Sequence, residues 1–144
     1  MPTGAVIYKK NLLKKINGFH PFFTGYSLGE DIYMSYKIKQ LAPTYIFREA
    51  KAYHEDGSVY EYRDSYNLAI MEIRNKFFLL YQVFDKPEQK YKRQLFFWLF
   101  INRLKLTVSS PSLLNQNIKF LKGYLTGYKK YRDINFNNVN YNEY

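Results

Sequence analysis

Residues 64–84, DSYNLAIMEIRNKFFLLYQVF, form the longest helical segment that the 144-residue sequence predicts. The segment ends at Asp85-Lys86-Pro87. Proline suits a linker or the first turn of a helix, so we expect one helix over 64–84 and the next to begin just beyond Pro87. This central helix separates two halves of different character.

Upstream of the central helix the pattern is mixed. Three stretches are short strand candidates: Gly4–Tyr8, Thr44–Arg48 and Lys51–His54. Short helices are expected over Lys9–Asn17, which Asn17-Gly18 ends, and over Glu30–Leu41. So few strands cannot form a sheet alone, and we therefore predict an α/β fold in which residues 1–85 are one edge of a larger mixed sheet.

Downstream of it the pattern is helical, basic and aromatic. Helices are expected over 88–106 and 113–131, within a basic aromatic region at 86–132. The chain carries 22 Lys and Arg against 12 Asp and Glu, a net charge of +10, and no cysteine, which excludes disulfides and thiolate metal sites. The Asn-rich tail, 133–144, is expected to be disordered.

The acidic pair in Gly29-Glu30-Asp31 has two interpretations. Acids are favoured in the first turn of any helix, because its free N–H groups and dipole stabilise them. Alternatively, the same N–H groups keep a carboxylate ionised, so that it can accept a proton from a substrate hydroxyl. Gly25 and Gly29 would let such a substrate approach closely.

Three further side chains are candidates for binding. His54 ends a strand candidate and has no second His or Cys nearby, so it is either a surface or packing residue or one ligand of a metal completed elsewhere. Arg63 and Arg74 are either solvent-facing charges or contacts to a diphosphate, since guanidinium binds phosphate through two parallel hydrogen bonds.

Taken in order, these pieces resemble the C-terminal half of bacterial family 2 glycosyltransferases with the GT-A fold. The shared pieces are Gly4-Ala5, Asn17-Gly18-Phe19, Gly29-Glu30-Asp31, Ala52-x-His54, Arg74-Asn75 and Lys122-Gly123-x-x-x-Gly127. The resemblance covers about residues 3–130. It implies the C-terminal half of a GT-A-type mixed sheet followed by a helical C-terminal region.

The resemblance also implies roles for single residues. Asp31 would be the general base that activates the acceptor hydroxyl, with Glu30 positioning the acceptor. Gly4, Ala5 and Gly29 would line the substrate pocket, with Arg63 and Arg74 as further substrate contacts. His54 would approach the donor diphosphate or its divalent metal, Mg or Mn. The implied reaction is a single, inverting transfer from a nucleotide-sugar donor to a glycan or lipid-linked acceptor.

Three departures from the family pattern are clear. His20 stands where the family has an acid, and the Gln-x-x-Arg-Trp motif of processive members is missing. The sequence also contains no Asp-x-Asp, the motif with which the family's N-terminal half holds the metal. We therefore expect an incomplete enzyme, either a fragment, the product of a truncated gene or one part of a split enzyme, whose donor-binding half would precede Met1.

The helical region leaves a second function open. Cations beside Phe, Trp, Leu and Ile are typical of segments that lie in a membrane interface, although a helical hairpin packed on the catalytic half has the same composition. We expect a cytoplasmic protein, peripheral at the inner face of the cell membrane. The alternative to an enzyme is a non-enzymatic basic module that binds anionic membrane or, less in keeping with the motifs, nucleic acid.

Overall fold

The computed structural model describes residues 6–25, 28–45, 49 and 64–137. Within them lie five α-helices: α1 (Lys10–Lys15), α2 (Glu30–Lys39), α3 (Ser65–Gln82), α4 (Gln89–Ser109) and α5 (Leu114–Tyr131). A 3₁₀ turn, Pro111–Leu113, joins α4 to α5. All five helices are those predicted from the sequence, with ends that differ by at most three residues.

The predicted α/β fold class is wrong for the part of the chain that the structure describes, which is all-α. Residues 6–8 and 44–45, the described parts of two strand candidates, adopt no regular structure. A strand needs hydrogen bonds from a neighbouring strand, whereas a helix satisfies its own backbone. Residues 46–48 and the candidate Lys51–His54 lie outside the described residues, and the mixed GT-A sheet has no support here.

Helix α3 is the centre of the core. Asp64 caps it, since its Oδ1 accepts a 3.0 Å hydrogen bond from the Tyr66 N–H. Ala69, Ile73 and Phe77 recur every fourth residue along one face and are fully buried. Because this row of buried residues runs along the helix, α3 packs against other helices and does not lie on the surface.

Helix α5 crosses α3 at very short range. A Cβ built on Gly123 would overlap the Tyr66 carbonyl oxygen and lie 2.7 Å from the Ala69 Cβ. A Cβ on Gly127 would lie 3.1 Å from the Ile73 Cβ. The Gly123-x-x-x-Gly127 spacing places both glycines on one face of α5. The Gly123-x-x-x-Gly127 motif, one of the pieces shared with the glycosyltransferases, therefore lies where α5 crosses α3.

Helix α4 and the segment that follows α5 complete the core. Phe96 of α4 packs on Tyr128 of α5, with ring centroids 4.4 Å apart. Phe136 is fully buried, and the Lys92 Nζ donates hydrogen bonds of 2.7 Å to the carbonyl oxygens of Arg132 and Ile134. Residues 133–137 of the predicted tail thus pack on the helices, and one core spans the predicted boundary at 85/86.

None of the helices in the described ranges is both long and apolar enough to cross a bilayer.

Candidate functional site

The Glu30-Asp31 pair begins α2, as predicted. Gly29 precedes it with φ 89°, a left-handed conformation that favours glycine. A Cβ at Gly29 would lie 2.8 Å from the Leu79 Cδ1 of α3, so the chain here runs directly over the core. Both carboxylates are half-buried, and Asp31 Oδ1 accepts a 2.8 Å hydrogen bond from the Ile32 N–H. The two acids thus lie in the first turn of a helix whose start is packed closely against α3.

Arg74 of α3 faces the protein interior. Its guanidinium lies 4.9 Å from the centre of the Phe22 ring, and its Nη2 is 3.4 Å from the Phe22 carbonyl oxygen. Its Nε donates a 2.9 Å hydrogen bond to the Asn75 side-chain oxygen. Burial lowers its pKa, an effect that the nearby Tyr131 partly opposes. The Arg74 side chain thus points toward the loop before α2. Its contact with a diphosphate stays a prediction.

Asn75 completes this anchor. Its side chain is fully buried, and its Nδ2 donates a 2.9 Å hydrogen bond to the Leu28 carbonyl oxygen. A buried amide group is costly unless its hydrogen bonds are made, so the Leu28 contact holds the loop firmly. Arg74 and Asn75 together fix both ends of the segment from Phe22 to Leu28. We refer to these two residues as the α3 anchor.

His20 holds the beginning of the same loop. Its Nδ1 accepts a 3.2 Å hydrogen bond from the Phe22 N–H, and its ring packs on Tyr33 and Phe78 at centroid distances of 4.9 and 5.0 Å. Burial, and then the positive charge of Lys37, lower its pKa, so the acceptor nitrogen stays unprotonated at neutral pH. Aspartate can accept from an N–H two residues on in the same way. The substitution of an acid by His20 therefore keeps the loop's hydrogen bond.

A groove of about 520 Å³ lies between the end of α1, the His20 loop and α2. Aromatic and cationic side chains share its lining: Lys15, Phe19, His20, Tyr33 and Lys37. The sequence offered a partial signal, an aromatic loop next to two helices, but it did not predict that lysines from α1 and α2 converge there. Aromatic faces suit sugar rings, and the two lysines suit an anionic group.

Four predicted site residues lie outside the described residues: Gly4, Ala5, His54 and Arg63. The part of the chain that the structure describes contains no group of three or more His, Cys, Asp or Glu side chains that could hold a metal ion. The donor set that the resemblance implies for Mg or Mn is therefore not among the described residues.

Comparison of the chain with protein-family models, with curated proteins and with solved structures finds no match.

Proposed function

We propose that this chain is the acceptor-binding and catalytic-base portion of an inverting, non-processive glycosyltransferase. The observation that carries the proposal is the α3 anchor. Arg74 and Asn75 hold the Phe22–Leu28 segment, and Gly29 seats the next residue against the core. The Glu30-Asp31 pair is thus fixed before any substrate arrives. Preorganisation of this kind is what a catalytic group requires and what an ordinary helix start does not.

In this proposal Asp31 accepts the proton of the acceptor hydroxyl. As the O–H bond breaks, the hydroxyl oxygen forms a bond to the anomeric carbon of the donor sugar. The bond from that carbon to the nucleotide diphosphate breaks, and its electron pair leaves with the diphosphate. Attack opposite the leaving group inverts the anomeric configuration. Glu30 accepts a hydrogen bond from a second acceptor hydroxyl and so orients it.

The groove beside α2 supports a glycan as the acceptor. It runs along the helix that Glu30 and Asp31 begin, although neither acid lines it, and Phe19 and Tyr33 offer it aromatic surface. Lys15 and Lys37 would favour an acceptor that carries phosphate or carboxylate, such as a lipid-linked sugar. The nucleotide-sugar donor and its divalent metal, Mg or Mn, would be bound mainly by a partner half encoded upstream.

The test is a transfer assay with the chain and the product of the adjacent upstream reading frame, supplied with a panel of nucleotide sugars and lipid-linked glycan acceptors. We expect transfer that requires both chains, and a product whose anomeric configuration, read from its proton NMR coupling, is opposite to that of the donor. Retention of configuration, or no transfer with any donor, would contradict the proposal.

A non-enzymatic basic module is the second candidate. It is favoured by one observation: the stretch Gln89–Arg132 contains ten Lys and Arg residues and no Asp or Glu. A module of this kind would bind its anionic partner equally well after Asp31→Asn. The enzyme would lose transfer in the same variant, so one substitution separates the two candidates.

A further inference from the structure

Helix α4 exposes a row of large apolar side chains on its outer face. The exposed residues are Phe97, Trp98, Ile101, Leu104 and Val108. Four of them, at positions 97, 101, 104 and 108, follow the three- and four-residue spacing that puts side chains on one face of a helix. Exposure reaches 82% at Val108. We call these five residues the apolar strip.

The opposite face of α4 is already used. Lys92, Phe96 and Leu99 are buried, Phe96 against Tyr128 of α5 and Lys92 against the segment after α5. Among the described residues the apolar strip therefore lies outside the core, and Phe97 contacts it, edge-on to Phe96 with ring centroids 5.5 Å apart. Ile101, Leu104 and Val108 instead border a shallow depression of about 410 Å³ together with Lys105 and Ser109. An exposed apolar surface of this extent marks an interaction site.

The charge around the strip identifies the kind of partner. Exposed cations flank it on α4, namely Lys90, Arg93 and Lys105, and the acid-free stretch Gln89–Arg132 supplies more on α5. An anionic partner is thus favoured over the same face of a second copy, because two such faces would bring these cations together. Nucleic acid would satisfy the cations but would leave Ile101, Leu104 and Val108 without apolar contacts.

Trp98 fits a lipid surface in particular. Its ring is 60% exposed at the edge of the strip, with the Lys76 Nζ of α3 5.7 Å from the ring centre. Indole side chains favour the headgroup level of a bilayer, where the ring meets acyl chains and the N–H meets water. Lys76 itself is paired with the Glu72 carboxylate at 2.8 Å, so contacts to lipid phosphate are left to the cations on α4.

We propose that α4 docks on an anionic lipid bilayer through the apolar strip, lying in the plane of the interface. The strip enters the boundary between headgroups and acyl chains, and Lys90, Arg93 and Lys105 contact lipid phosphates. This docking goes beyond the proposed transferase activity and does not depend on it. It would bring the chain to a surface where lipid-linked acceptors are found.

Trp98 is the only tryptophan of the chain, so its fluorescence reports on the strip directly. The full chain is titrated with phosphatidylcholine vesicles, with and without one-third phosphatidylglycerol. We expect a blue shift of the Trp98 emission with the anionic vesicles alone, and quenching by lipids brominated near the headgroup. Raising the salt concentration from 50 to 500 mM should weaken binding at least tenfold.

The decisive variant is Ile101→Glu/Leu104→Glu, which should lower affinity for anionic vesicles at least tenfold. Phe84→Glu is the matched control, because Phe84 is similarly exposed, at 54%, but lies at the end of α3. It should bind as the unmodified chain does. Circular dichroism and thermal melting confirm that each variant is folded.

Three results would overturn the proposal. The first is equal vesicle binding by the double variant and the control. The second is a Trp98 shift on a DNA or RNA duplex at concentrations that leave anionic vesicles unbound. The third is a dimer in sedimentation that the double variant abolishes while vesicles bind neither form. None of these results bears on sugar transfer, so the proposals of docking and of catalysis are tested independently.

Discussion

Asn75, buried in the middle of α3, donates a 2.9 Å hydrogen bond from its side-chain nitrogen to the carbonyl oxygen of Leu28, the residue before Gly29. The two residues are 47 positions apart in the sequence. Asn75 also accepts a 2.9 Å hydrogen bond from its neighbour Arg74. One amide group thus links the central helix to the start of the candidate catalytic helix.

Replacement of Asn75 by alanine should lower the free energy of unfolding by about 2–3 kcal/mol, because it leaves the Leu28 carbonyl and the Arg74 Nε without their partner in a buried site. Urea unfolding followed by circular dichroism measures the loss. Asn115→Ala is the control, since Asn115 is exposed in the first turn of α5 and its loss should cost no more than about 0.5 kcal/mol. Equal effects of the two substitutions would show that the anchor does not hold the loop.

Replacement of Gly123 by alanine should destabilise the chain although alanine is the better helix former by about 1 kcal/mol. The new Cβ would overlap the Tyr66 carbonyl oxygen, which belongs to the backbone and cannot rotate away. Overpacking of this kind costs about 1–3 kcal/mol. Thermal unfolding should show a smaller loss of stability for Gly127→Ala, since the added Cβ would lie 3.1 Å or more from its nearest neighbours. Lys122→Ala should cause no loss of stability. A rise in stability with Gly123→Ala would contradict the close crossing.

Lys92 should make stability depend on pH above neutrality. Burial lowers its pKa from 10.5 to about 8, an effect that the nearby Asp133 carboxylate only partly opposes. Between these two values the unfolded chain holds a proton that the folded chain has released. The free energy of unfolding therefore rises with pH across this window, by at most about 3 kcal/mol.

The measurement is urea unfolding at intervals from pH 7 to 9.5, below the range where Tyr81 and Tyr124, whose pKa values burial raises, begin to oppose the trend. In Lys92→Met the rise should disappear. In Lys90→Met, a substitution of the exposed neighbour, the rise should persist. Parallel profiles for the unmodified chain and Lys92→Met would exclude Lys92 as the source.

The helices were predictable because the residues that begin, end and form each helix are neighbours in the sequence. Asn17 and Gly18 end α1 with φ values of 59° and 72°, the left-handed conformation expected for this pair. The strands were wrongly predicted in residues 6–8 and 44–45 because a short apolar pattern does not contain its pairing partner. Local pattern thus predicted each helix but not the fold class.

The site was predictable only in part, for a related reason. That Glu30 and Asp31 begin a helix follows from their neighbours in sequence. The inward course of Arg74 and the packing of His20 on Phe78 both join α3 to a loop that lies far from it in the sequence, and local sequence patterns do not specify such contacts. The burial of Lys92 likewise depends on Phe136, an aromatic residue in the Asn-rich segment after α5.

The central claim is that Asp31 is the base of a glycosyl transfer, and the direct test is the rate of transfer by Asp31→Asn in the two-chain assay. A positioned base contributes about 10²–10⁴-fold, so we predict a loss of that size with unchanged urea unfolding. Asp85→Asn is the matched control, because Asp85 is exposed and its φ of 49° suits asparagine equally well. Full activity in Asp31→Asn, or the same loss in Asp85→Asn, would contradict the assignment.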